Sequence, residues 1–172
     1  MERKTWGKAA AVSAMLLLFV ATGCGSVRHK LELESTYQPK ADTTIEVGTV
    51  TNETGNTYDI AIDAMFKDSL VGALRNEELL RTETKTVGLT SNCKILDYEK
   101  GNAFKRWLWP GWGSTVLFVH CDLMDANSKA GALDARRTVD FGGAYTIGAW
   151  EKVFDEVAWD VVQDMREKIR GK

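Results

Sequence analysis

The chain has 172 residues, with 22 Lys and Arg against 24 Asp and Glu, two histidines, three cysteines and two prolines. That length holds one domain with short appendages, and a balance this close to neutral argues against a nucleic-acid binder, which needs a basic face. No fixed-period repeat is present, which excludes a solenoid.

The amino terminus opens on Arg3, Lys4 and Lys8, followed by 12 uncharged residues at 9–20 that include Met15, Leu16, Leu17, Leu18 and Phe19. A helix of that length rises about 18 Å, short of a hydrocarbon core of about 30 Å. The run therefore fits the apolar part of an export signal better than a permanent span. Ala21, Thr22, Gly23 and Cys24 close it. These four residues resemble a lipobox, the processing site of bacterial lipoproteins, with Ala21 where that family prefers Leu. The resemblance implies that residues 1–23 are removed, that the Cys24 thiol takes a diacylglycerol, and that the freed amine is acylated. Each buried methylene contributes about 0.8 kcal/mol, so one chain anchors marginally and two or three make release negligible. By the same resemblance, Gly25 in place of Asp directs the protein to the outer membrane, facing the periplasm, rather than to the inner membrane. The competing reading is an ordinary secretory signal with a chance cysteine. Removing 1–23 takes away three basic residues and one acidic residue, leaving 149 residues with 19 basic and 23 acidic, a formal charge of −4.

Residues 24–42 carry Arg28, His29, Lys30, Glu32, Glu34 and Pro39 without a sustained apolar period, and read as a lipidated tether that sets the reach of the domain. The domain proper is expected at 43–172. Residues 43–51 form a β-branched strand with Ile45, Val47 and Thr49 on one face. A turn cluster at 52–56 leads into a helix over 58–75, capped from Asn56 or Thr57, with Ile62, Phe66, Leu70 and Leu74 at helical spacing. One or two short strands are expected within 78–89 and another over 92–100. Gly101 and Asn102 break it, and 101–113 is a loop. Residues 114–125 alternate cleanly, with Leu117, Val119, Cys121 and Leu123 on one face and Val116, Phe118, His120 and Asp122 on the other. A turn at 127–131 leads to a more polar strand at 132–141, near an edge. Residues 147–170 form a long amphipathic helix with Trp150, Val153, Phe154, Val157 and Val161 in one stripe.

Two amphipathic helices must bury their stripes, and one face of a sheet is the natural partner. The expected fold is α+β, a two-layer mixed and mostly antiparallel sheet with both helices on one face. The first strand and its neighbour across the helix should be parallel.

Two stretches carry a further resemblance: 45–56, from Ile45-Glu46-Val47-Gly48 to Gly55-Asn56, and 104–113, from Phe104-Lys105-Arg106-Trp107 to Trp112-Gly113, with the strand after it. Together they resemble a group of uncharacterised bacterial envelope lipoproteins, similar in outline to the curli-secretion lipoprotein and to the amino-terminal domain of TolB. That resemblance implies an α/β domain and brings no catalytic residues. No separate alternating segment long enough for membrane-barrel strands of about 9–11 residues is present.

Cys93 and Cys121 remain after lipidation of Cys24. In an antiparallel pair, opposed residues have a constant sum, and theirs centres the connection on Trp107, inside the expected loop. A cross-strand disulfide, permitted in the periplasm, competes with two buried free thiols acting as small hydrophobes. Trp107, Trp109 and Trp112 crowd one loop beside Lys105 and Arg106. They read either as an interaction surface, where Trp suits bilayer interfaces and binding hot spots, or as rings folded back onto the core. Trp159 lies about 180° around its helix from Trp150, off the core stripe, as a second contact candidate. His29 and His120 have no ligand spacing around them, and no metal or cofactor is expected. No G-x-S-x-G, phosphate loop or dinucleotide fingerprint occurs. The sequence thus favours a non-enzymatic outer-membrane lipoprotein that binds an envelope partner. A subunit of an envelope secretion or transport assembly, possible as a homo-oligomer, is the alternative, and an unrecognised periplasmic hydrolase is a third.

Overall fold

The computed structural model describes residues 26–40, 42–82, 88–109, 111–126, 128–140 and 148–171. The export segment and Cys24 lie outside the described residues. The elements run β1 (Ser26–Leu33), β2 (Thr44–Asn52), α1 (Ile62–Asn76), β3 (Gly88–Glu99), α2 (Ala103–Leu108), β4 (Thr115–Asp125), β5 (Ser128–Val139) and α3 (Ala149–Arg170). The five strands form one sheet in the order β1-β5-β4-β3-β2. Only β2 and β3, joined through α1, are parallel; the other neighbours are antiparallel.

The core lies between one sheet face and the two long helices. Leu117, Val119, Cys121 and Leu123 of β4 are fully buried, as are Leu133 of β5 and Ile95 of β3. Helix α1 meets them with Phe66, Leu70 and Leu74, and α3 with Val153, Phe154, Val157, Val161 and Met165. Polar contacts bind the helix layer to the sheet. Arg137 of β5 reaches Glu156 at 2.7 Å and Asp160 at 3.0 Å on α3. The last turn of α3 returns Arg170 to the carbonyl of Glu78 at 2.7 Å, beyond the end of α1. The α+β, two-layer architecture expected from the periodicities is the one observed.

Several local expectations are corrected. Ser26–Leu33, read as part of a tether, is a strand paired with β5 from Ser26↔Thr138 to Leu33↔Gly131. Its inward side chain Leu31 is buried, and His29 Nδ1 lies 2.8 Å from Asp164 on α3. The segment hides its alternation because most of its residues are exposed on an edge strand. Strand β5 is consequently not at an edge. It starts at Ser128, so residues 128–131 of the expected turn are strand. In β2 the pairing with β3 slips between Val47 and Val50. Asn92 Oδ1 fills that bulge by accepting from the N–H and hydroxyl of Thr49, at 3.0 and 3.1 Å. A bulge re-aims the residues after it, so Val50, not Thr49, packs on the core. Helix α1 begins at Ile62 rather than at 58, with no side-chain cap. Tyr58 instead packs edge-on to Tyr98 at 5.1 Å and donates its hydroxyl to the Tyr98 carbonyl at 3.0 Å.

Candidate functional site

Strand β3 ends at Glu99 and β4 begins at Thr115, so the chain between them closes one end of the sheet. Its first feature is a turn at Gly101, where φ is +67°. A side chain here would meet the Arg106 guanidinium and the Thr115 hydroxyl, both 2.6 Å from the added carbon. Asn102 then caps α2, its side chain accepting from the Lys105 N–H at 3.1 Å. This is how a sequence read as a loop acquires a short helix: a favoured cap residue satisfies one of the free donors of the first turn. The amide of Asn102 also donates to the Gly113 carbonyl at 2.8 Å, closing the loop at its neck.

Arg106 points inward from α2 and is 2% exposed. Its Nη1 donates to the Gly113 carbonyl at 2.9 Å and to the Thr115 hydroxyl at 2.8 Å. That hydroxyl donates onward to the Lys100 carbonyl at 2.9 Å. Burial lowers the guanidinium pKa from its ordinary value. On the far side, the Gly111 amide and the Ser114 hydroxyl both donate to Asp140, each at 2.8 Å. The loop is thereby braced to β3, β4 and the end of β5.

Arg106 takes the inward position beneath the loop, and the large apolar side chains around it lie outward. Phe104 is 68% exposed, Trp107 66%, Leu108 54%, Trp109 71% and Trp112 51%. The Phe104 and Trp107 rings pack at a tilt with centroids 6.0 Å apart, and Lys105 Nζ stands 5.4 Å from the Trp112 ring. Five exposed large apolar side chains on one braced loop form an aromatic platform. The reading in which the tryptophans fold onto the core is thus corrected. Phe104 and Leu108 were not singled out in the sequence, although their positions relative to Trp107, three before and one after, place all three on one side of a helix.

The structure brings Trp107, Trp109 and Trp112 together and leaves Trp159 elsewhere. Trp159, 45% exposed on α3, lines a groove of about 400 Å³ with Asp68, Ser69, Gly72, Asn76 and Asp155. Cys93 and Cys121 face each other in the β3–β4 register and are joined by a disulfide. On the sheet face away from the helices, His120 sits between Asp134, 2.7 Å from Nδ1, and Asp122, 3.4 Å from Nε2. Lys129, hydrogen-bonded to Asp122 at 2.6 Å, holds that carboxyl below the ordinary range. Among the described residues, no group of three or more His, Cys, Asp or Glu side chains is arranged to hold a metal. No described helix is long and apolar enough to cross a membrane.

A family model for a domain of unknown function, DUF4410, matches residues 32–143, from the last two residues of β1 to beyond the end of β5. The chain belongs to the DUF4410 family. No sequence among curated proteins matches it. Among solved structures, this DUF4410 chain is similar to the PelC dodecamer from Paraburkholderia phytofirmans, at a TM-score of 0.56 and 12% identity, covering 82% of this chain and 96% of that one. It is also similar to a Leu-to-Met variant of that dodecamer, at 0.54 and 14%, covering 82% and 98%. At such identity the likeness is one of fold.

Proposed function

We propose that this DUF4410 protein is a non-enzymatic lipoprotein of the cell envelope, lipid-anchored through Cys24 in the outer membrane and facing the periplasm, where it acts as a binding or scaffold component. The observation that carries the reading is the aromatic platform. Monomeric proteins seldom expose contiguous large apolar side chains without a contact to make. This one is held out by a buried arginine rather than left loose. The lipobox-like Ala21-Thr22-Gly23-Cys24 supports the anchor, and the disulfide at Cys93 and Cys121 fits an oxidising compartment.

Self-association is part of the same proposal. Two of the solved neighbours are dodecamers, which favours a subunit of an envelope assembly. The Trp159 groove is then the candidate contact between copies. The test is metabolic labelling with palmitate, with fractionation and native mass measurement in detergent. Label on the parent, absent from Cys24→Ser, together with a multimeric mass, supports the proposal. Equal labelling of both forms overturns the anchor, and a monomeric mass overturns the assembly.

A further inference from the structure

The strand registers relate the amino terminus to the aromatic platform. Ser26 pairs with Thr138, Thr138 with Val116, and Val116 with Glu99, so these four residues form one row across β1, β5, β4 and β3. Beyond that row β3 runs out into the platform loop, and from the loop β4 returns. Strands β1 and β4 are each antiparallel to β5 and therefore run the same way. Ser26, the first residue of β1, consequently lies at the end of the sheet from which the platform projects. Cys24 precedes Ser26 by two residues, and two residues span at most about 7 Å. Neighbouring strands are about 4.8 Å apart, so the starts of β1 and β4 are separated by roughly 10 Å along the sheet.

From this juxtaposition, and resting on Cys24 as the lipidated residue, we propose that the aromatic platform docks on the lipid surface that holds the anchor. The domain is not lifted on a tether. It stands on the bilayer by its loop end, with Phe104, Trp107, Leu108, Trp109 and Trp112 at the headgroup level. The chemistry suits that occupant. Tryptophan has an apolar body with a polar N–H and favours the boundary between hydrocarbon and water. Apolar side chains on an amphipathic surface element sink about 5–10 Å into the headgroup region. Residues 101–113 contain no acidic residue, and with Arg106 buried beneath the loop their exposed charge is that of Lys105, which favours an anionic leaflet. A protein partner at this face would have to fit between the platform and a bilayer only a few ångströms from Cys24.

The experiment reconstitutes the purified full-length lipoprotein into vesicles of phosphatidylethanolamine and phosphatidylglycerol carrying brominated acyl chains. Tryptophan emission is compared between the parent and the variant combining Trp107→Tyr, Trp109→Tyr and Trp112→Tyr. Palmitate labelling is measured on the same samples. Three of the five tryptophans after Cys24 lie on the platform. The parent should be strongly quenched, and the residual emission of the variant, from Trp150 and Trp159, should be nearly unquenched. Labelled protein with no quenching, or with the same fractional quenching in both forms, overturns the inference and assigns the platform to a protein partner. Absence of label overturns the anchor on which it rests, and the two failures are read separately.

Discussion

Replacing Arg106 with Met keeps the aliphatic stem and removes the guanidinium under the platform. The interactions lost include two hydrogen bonds from a charged group, to Gly113 and Thr115 at 2.9 and 2.8 Å. Such bonds contribute about 1.5–3 kcal/mol each. Two effects reduce the net cost. The desolvation of the buried charge is recovered. Neither acceptor is orphaned, since the Gly113 carbonyl still accepts from Asn102 and the Thr115 hydroxyl still donates to Lys100. The expected loss is about 2 kcal/mol, a fall of roughly 1 M in the urea midpoint at a slope near 2 kcal/mol/M, or about 4–8 °C in Tm. Arg106→Lys, which keeps a charge but not the planar fork, should fall between. The assay is urea unfolding followed by circular dichroism, with limited chymotrypsin cleavage within 104–112 as a local readout, faster in Arg106→Met. An unchanged midpoint with unchanged cleavage would refute the claim that this arginine holds the loop out.

Leu31→Ala truncates a 5%-exposed side chain and should cost about 2–4 kcal/mol by calorimetry; a neutral result would restore the reading of 24–42 as a tether. The double variant Cys93→Ala with Cys121→Ala opens a loop of 28 residues, and chain entropy sets the cost near 3–4 kcal/mol; equal melting of parent and variant would show that the bridge does not form. Burial pushes the Tyr98 phenol up from 10.0 to about 12. The folded state therefore keeps a proton that the unfolded state releases, so its contribution is complete below pH 10 and is lost as pH rises from 10 to 12. Stability in that window should decline less steeply in Tyr98→Phe, and identical slopes would place the phenol in solvent.

Where one side of an element is buried and the other wet, the sequence was readable. The alternation in β4 and the stripe of α3 led directly to a two-layer α+β fold, and the arithmetic on Cys93 and Cys121 placed them opposite each other in register. Strand β1 was missed because an edge strand with one buried side chain, Leu31, hides its period among charges. The slip in β2 was missed because a bulge depends on Asn92, more than 40 residues away. The platform was half legible: three tryptophans within six residues marked the loop, but their direction depends on Arg106. A basic residue beside aromatics reads as surface charge, and only the tertiary structure shows it turned beneath them. Trp159 was placed correctly off the core stripe by helical geometry alone, while its groove requires the position of α1.

The most direct test of the whole account places a photoreactive amino acid at position 109 in living cells, with position 159 as the comparison. The account predicts that irradiation links position 109 to phospholipid in the envelope fraction, and that position 159 yields no lipid adduct. Recovery of the protein in the soluble fraction, or adducts from position 109 with protein alone, would contradict it.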